Sequence, residues 1–167
     1  IFNNPRTVET FAYYKQLYEM SPPDAASWSW AEPQLAFNTG TMAMAIEKGQ
    51  FLRPFEEESG VSGEYLGCAF IPWPEDGQQG SIYYSNGVML LTDKKEQVEA
   101  AKRFLDFLFE PENNGEWLAG MDPGLFLPVT GATLEADSFW NNPVIAKYRG
   151  HVEMMIEASK YGKLFGF

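Results

Sequence analysis

The sequence predicts an α/β fold with an incomplete sheet, and three observations carry that prediction. Around Gly40 the apolar period changes from helical, ending at Leu35 and Phe37, to alternating, with Met42, Met44 and Ile46 on one side of the chain. Helix-like and strand-like segments alternate through the first half, and helix dominates the second. Only three strands are written clearly, fewer than a doubly wound sheet uses, so the pattern predicts further strands from a segment outside this chain.

The elements follow in order. Asn4-Pro5 supplies an N-cap and a first-turn proline ahead of Val8, Phe11, Ala12 and Leu17, predicting an amphipathic helix over 5–20 that Ser21-Pro22-Pro23-Asp24 ends. A polar loop carrying Trp28 and Trp30 leads to a short helix over 32–37, and the first strand follows Gly40 over 41–46. Gly49 turns the chain towards Phe51. Residues 52–63 are acidic and glycine-bearing, predicting a short helix and a loop, and a second strand runs near 65–70 until Ile71-Pro72-Trp73-Pro74 stops it. Glu75 to Gly80 reads as a surface loop and 87–91 as the third strand. Asp93 with Glu96 forms a capping-box-like start to a helix over 94–109 that packs Val98, Ala101, Leu105 and Leu108 on one face. Glu110-Pro111 breaks it and opens a second helix through Trp117. Gly120, Asp122-Pro123-Gly124 and Pro128 then predict an extended segment with two turns, and Asn142-Pro143 caps a last helix with Val144, Tyr148, Val152, Met155 and Ile156 on one face.

Composition narrows the function classes. A hydrophobic content of 45 % over 167 residues suffices to bury a core, as one domain or parts of two. No apolar run approaches the roughly 18–20 residues that cross a bilayer, and the start at Ile1 lacks the basic and apolar regions of a secretion signal, as an excised segment would. A net charge of −11 argues against nucleic acid and anionic membrane surfaces, both of which recruit clustered Lys or Arg, and points to an uncharged or cationic ligand. The single cysteine, Cys68, excludes an intramolecular disulfide and a cysteine-based zinc cluster; within Leu66–Ile71 it reads as a buried strand residue. The dinucleotide, P-loop and nucleophile-elbow signatures are all missing.

His151, the only histidine, reads as a solvated residue on the polar side of the last helix, so neither a metal site nor a nucleophile–histidine pair can be assembled, and no cofactor is expected. A glycosidase needs two carboxyl groups facing a sugar, but Glu56-Glu57-Glu58 reads as a solvated face and Glu75-Asp76 as a loop tip. Enzymatic function therefore has no positive support in the residues, and no enzyme is expected. A carbohydrate-active hydrolase using paired carboxylates is the alternative, and a plain helical interaction domain the third reading. Aromatic residues make up 16 % of the chain, with five tryptophans. Several stand among turn residues: Trp28 and Trp30 beside serines, Trp73 between prolines, Tyr83 and Tyr84 before Ser85-Asn86-Gly87. Flat apolar rings with polar neighbours suit a sugar face, although Trp73 reads as a packing residue.

Particular motifs sharpen this. The pattern Phe37-x-x-Gly40-x-x-Ala43-Met44 ahead of a glycine loop ending in an aromatic resembles the carbohydrate-binding members of the extracellular solute-binding proteins, family 1, that serve ABC transporters. Ala69-Phe70-Ile71-Pro72, Asn86 to Leu91, Glu99 to Leu108, Leu127-Pro128-Val129 and Asp137 to Pro143 follow in the order of that family. The resemblance implies a periplasmic-binding-protein-like fold of type II, with ligand held between two lobes and most of the N-terminal lobe missing from this chain. Residues 1–84 would be part of the C-terminal lobe, 88–130 would return to the N-terminal lobe, and 137–167 would supply a C-terminal lobe helix. It further implies an extracellular or periplasmic protein, free or lipid-anchored and peripheral to the membrane, with a sugar or oligosaccharide ligand and permease subunits as partners. Phe51 falls where the family often carries a tryptophan and would stack on a sugar ring, a core phenylalanine being the alternative. Trp28 and Trp30 match a region that often bears an aromatic contact. Ser85, Asn86 and Gly87 fall at the lobe crossing, as ligand contacts or as a simple turn.

Overall fold

The computed structural model describes residues 3–47, 49, 52–84 and 86–164. Its first helix, α1 (Pro5–Glu19), begins where Asn4 accepts the Arg6 N–H on its side-chain oxygen at 2.9 Å, the capping expected of Asn ahead of proline. After a single 3₁₀ turn at Ala25–Ser27, α2 (Glu32–Asn38) ends at Gly40, which takes φ +77° and donates its N–H to the Phe37 carbonyl. Helix α3 (Leu52–Ser59) and a 3₁₀ turn at Gly63–Tyr65 complete the first half.

The second half opens with β1 (Ser81–Tyr83) and continues through α4 (Lys95–Leu108), α5 (Pro111–Ala119), α6 (Gly131–Leu134), α7 (Asp137–Trp140), α8 (Pro143–Lys147), α9 (Arg149–Ser159) and β2 (Gly162–Leu164). β1 and β2 form a two-stranded parallel sheet with Ser81 opposite Gly162, Ile82 opposite Lys163 and Tyr83 opposite Leu164. Neither strand is legible in the local pattern, since three residues carry too little alternation to read.

The predicted strands are corrected. Residues 41–46, 65–70 and 87–91 form no ladder among the described residues. A strand in isolation leaves its N–H and C=O groups unpaired, and their side chains show the consequence: Met44 is 86 % exposed and Leu91 89 %. Cys68 is likewise exposed instead of buried in a strand. The predicted last helix divides at Tyr148, where Asn142 caps only the short α8 through the Val144 N–H, at 2.9 Å. α4 has no side-chain cap of the predicted kind; Thr92 accepts the Lys94 N–H instead.

A core forms where α5, α7, α8 and α9 meet. Leu118, Ala119, Phe139, Ile145 and Val152 are buried there, with Phe126, Leu127, Trp140 and Ile156 packed around them. Ser138 donates its hydroxyl to the Glu112 carbonyl at 2.7 Å, and its N–H to the Glu112 carboxylate at 3.0 Å. Gly115 permits this approach of α5 to α7, because a Cβ there would lie 2.5 Å from the Ser138 hydroxyl and 3.1 Å from the Phe139 nitrogen. Trp140 donates its indole N–H to the Leu134 carbonyl, so its polar edge is satisfied while its ring packs against Phe139.

One carboxylate joins the two halves. Glu56 of α3 accepts from the Tyr148 hydroxyl at 2.8 Å, from the Lys147 ammonium, and from the Gly63 N–H at 3.3 Å. The Lys147 and Tyr148 hydrogen bonds hold the Glu56 carboxyl down at about 2, while burial and the same carboxylate push the Tyr148 phenol up to about 12. His151 is corrected too: it faces inward, with Nε2 2.6 Å from the Leu66 carbonyl and its ring edge-on to Tyr148. A carbonyl can only accept, so Nε2 carries the proton.

Because the folded Glu56 titrates below an ordinary carboxyl, its stabilisation is complete above about pH 4.5 and is lost as pH falls towards 2. Thermal unfolding of Glu56→Gln should therefore show a lower midpoint than the parent at pH 7 and converge on it towards pH 2; parallel curves would refute this. Phe139→Ala should cost about 3–5 kcal/mol in urea unfolding, whereas Phe107→Ala on the exposed side of α4 should cost less than about 1 kcal/mol.

Candidate functional site

The loop between α1 and α2 presents its aromatics on a hydrogen-bonded frame. Ala25 donates its N–H to the Pro22 carbonyl, Ser27 to Asp24, and Trp28 to Ala25, which closes the 3₁₀ turn. Trp28 leaves it extended and half-buried. Ser29 then donates its N–H to the Glu32 carboxylate at 2.8 Å. That carboxylate sits in the first turn of α2, where backbone N–H groups lower its pKa. Between these fastenings Trp30 stands 61 % exposed.

Behind the loop, Ala31, Glu32, Gln34, Leu35 and Glu58 line a shallow cleft of about 380 Å³. Asn38, the last residue of α2, is buried and donates its side-chain amide to Glu58 at 2.5 Å, tying α2 to α3, while its Oδ1 is buried without a hydrogen-bond partner among the described residues. The Phe37 and Phe55 rings meet at 5.4 Å beside this link. The arrangement offers an exposed aromatic face, carboxylate acceptors and an amide within one loop-and-helix unit.

Of the other expected contacts, Phe51 and Ser85 lie outside the described residues. Asn86 and Gly87 are exposed, and among the described residues nothing lies within 4 Å of where a Cβ on Gly87 would stand. Trp28, Trp30, Asn86 and Gly87 do not line the cleft behind the loop.

A second concavity was not anticipated. Phe104, Phe107, Leu108, Asn113, Glu116 and Trp117 line an apolar groove of about 530 Å³ between α4 and α5. Asn113 spans its floor by donating to the Phe107 carbonyl at 2.9 Å. The i, i+3, i+4 spacing of Phe104, Phe107 and Leu108 is the signal for it, overshadowed by the adjacent stripe Val98, Ala101, Leu105 and Leu108. That stripe is only half-buried, and α4 has no buried residue.

Carboxylate chemistry finds no support. The three carboxyl groups with displaced acidity, Glu32, Glu56 and Glu112, are all lowered, by hydrogen bonds to the charged form. A glycosidase acid needs the opposite shift. Among the described residues no group of three or more His, Cys, Asp and Glu is placed to hold a metal ion, and no helix is long and apolar enough to cross a membrane.

Comparison with known proteins places this geometry in context. A family model for bacterial extracellular solute-binding proteins matches residues 1–115, well over half of the chain. The putative ABC transporter periplasmic-binding protein YcjN of Escherichia coli (strain K12) is 28 % identical over 145 residues, covering 86 % of this chain and 32 % of the relative. The chain thus spans about a third of the length of the curated relative it matches. No solved structure matches it.

Although Cys68 is exposed, partial burial of its thiol raises the pKa, an effect only partly offset by a hydrogen bond with the Ala69 backbone. A water-soluble maleimide should modify the native chain at this one residue, more slowly at pH 7.5 than a cysteine in an unstructured peptide and with a rate still climbing beyond pH 9. Labelling at the peptide's rate would show an unperturbed thiol.

Proposed function

Because the chain belongs to the bacterial extracellular solute-binding proteins, we propose that it is part of the solute receptor of an ABC importer and that the solute is a carbohydrate. The observation that carries the sugar is the loop of residues 24–32, in which Trp30 is exposed on a turn fastened by Ser29 and Glu32. Pyranose C–H groups stack on such a ring while hydroxyls bond to the polar rim. Trp28, Trp30 and Phe51 are the stacking residues of this reading, with Ser85, Asn86 and Gly87 as polar and backbone contacts.

The whole protein has two lobes of the type II periplasmic-binding kind in this proposal. Residues 1–84 belong to the C-terminal lobe, 88–130 return to the N-terminal lobe, and 137–167 come back to the first. Exposed apolar surface supports it: Val88, Met89, Leu90 and Leu91 stand exposed in succession, and Phe104, Phe107 and Trp117 rim an open apolar groove, more apolar surface than a finished protein leaves to water. Missing neighbours of the segments 41–46, 65–70 and 87–91 would be strands of the remaining polypeptide.

Function follows as binding without conversion. Closure of the lobes about the solute distinguishes loaded from empty receptor, and the permease subunits read that difference. The receptor works outside the cytoplasmic membrane, in the periplasm or held at the surface by a lipid anchor.

Isothermal calorimetry of the whole protein against mono- and oligosaccharides tests the proposal. One sugar class should give heat, and Trp30→Ala or Phe51→Ala should weaken it at least about tenfold, equivalent to 1.4 kcal/mol. Silence across the sugars from a folded protein would overturn the carbohydrate assignment.

A further inference from the structure

Two Asn-Gly pairs and one Asp-Gly pair stand in the sequence: Asn86-Gly87, Asn114-Gly115 and Asp76-Gly77. Such pairs are chemically labile. Glycine has no Cβ to shield its backbone nitrogen, so that nitrogen can reach the side-chain carbonyl of the residue before it. Closing the ring needs a glycine N–H that can give up its proton to solvent, a backbone free to fold into a cyclic imide, and access for water.

The fold treats the three pairs differently. Asn114 is buried in α5, with its own N–H bonded to the Glu110 carbonyl at 2.8 Å. Helical geometry likewise commits the Gly115 N–H to the preceding turn, and α7 closes over that glycine, since a Cβ on it would lie 2.5 Å from the Ser138 hydroxyl. Asp76 and Gly77 are exposed, but Gly77 donates its N–H to the Pro74 carbonyl at 2.9 Å, and a Cβ on it would lie 2.6 Å from Pro74 Cγ. An ionised carboxylate is also a poorer electrophile than an amide. None of these restraints acts on Asn86-Gly87. Both residues are exposed and outside helix and strand, and neither is hydrogen-bonded among the described residues. Nothing described lies within 4 Å of where a Cβ on Gly87 would stand.

We propose that Asn86 is a site of spontaneous deamidation, a modification by which this protein ages. Base removes the Gly87 amide proton, and the nitrogen bonds to Asn86 Cγ. The Cγ–Nδ2 bond breaks, and ammonia leaves with a proton from water. Water then opens the cyclic imide at either carbonyl, which gives aspartate or isoaspartate at position 86. Asparagine and water thus become a carboxyl residue and ammonia, with nothing oxidised or reduced. Either product adds a negative charge to a chain already at −11. Isoaspartate also lengthens the main chain by a methylene, shortly after β1 ends at Tyr83. On the reading of Asn86 as a polar solute contact, on which this consequence rests, the aged receptor loses an amide donor and binds more weakly.

Peptide mapping tests the modification without solute. The whole protein is incubated in mildly alkaline buffer, native or in guanidinium, and its digest is read by mass for the exchange of amide for carboxyl. An isoaspartate methyltransferase marks the rearranged product. In the native protein Asn86 should convert, faster as pH rises, while Asn114 stays intact; in guanidinium both should convert. Gly87→Ala should remove most of the product at 86, and its Cβ meets open space among the described residues, so the variant keeps the fold. Asn86 intact in the native protein when both pairs have converted in guanidinium, or equal native conversion of Asn86 and Asn114, would overturn the proposal. Sugar binding unchanged after conversion would remove Asn86 from the solute contacts and leave the modification standing, so the two failures are distinguishable.

Discussion

The Glu56 carboxylate ties the two halves of the chain to one another. It lies on α3 and collects the Lys147 ammonium, the Tyr148 hydroxyl and the Gly63 N–H, partners up to 92 residues away. Each partner donates, and together they occupy most of the acceptor capacity of an ionised carboxylate. Tyr148 is almost fully buried, so its hydroxyl needs that acceptor, and the same ring edge meets His151, whose Nε2 proton goes to the Leu66 carbonyl. The path from α3 through Tyr148 to the segment after Tyr65 is thus a chain of satisfied polar groups. Apolar packing alone would not specify it so narrowly, because hydrophobic contact has no direction.

Against this well-satisfied centre, the periphery is left apolar. The core built by α5, α7, α8 and α9 is small beside the exposed faces of α1, of residues 88–91 and of α4. α1 keeps Val8, Phe11, Tyr14 and Tyr18 exposed along one side, which its own capping and helix propensity do not explain. The relative that this chain matches is more than twice as long. The unpaired segments 41–46, 65–70 and 87–91 are the sheet counterpart of those uncovered helix faces.

The two kinds of surface suit different partners. At the α1–α2 loop Trp30 stands exposed next to Ser29, whose N–H bonds to the Glu32 carboxylate, whereas the groove between α4 and α5 has aromatic walls with few polar atoms. A polar solute needs the first kind, since each of its hydroxyls must replace a bond to water. A packed protein element needs the second. Gly49 is buried close to Gly124 and to Met155 of α9.

What the sequence determined by itself was local. Asn4 and Asn142 cap helices, Gly40 stops one with a positive φ, and Pro5 and Pro111 open helices, because those hydrogen bonds close within a few residues and depend on no distant neighbour. Motif order along the chain also pointed to the family. The site was legible only as residue types: Trp28 and Trp30 among serines, with nothing in the spacing to say that Ser29 and Glu32 fasten the loop. Tertiary structure alone decided that the alternating segments stay unpaired, that Cys68 is exposed, that His151 turns inward to Leu66, and that Arg53 meets Asp122 across 69 positions. Period two marks a segment fit to be a strand, yet a strand exists only when another chain segment accepts and donates its hydrogen bonds. Long-range ion pairs and buried carbonyl contacts likewise arise from how elements pack, which no window of adjacent residues contains.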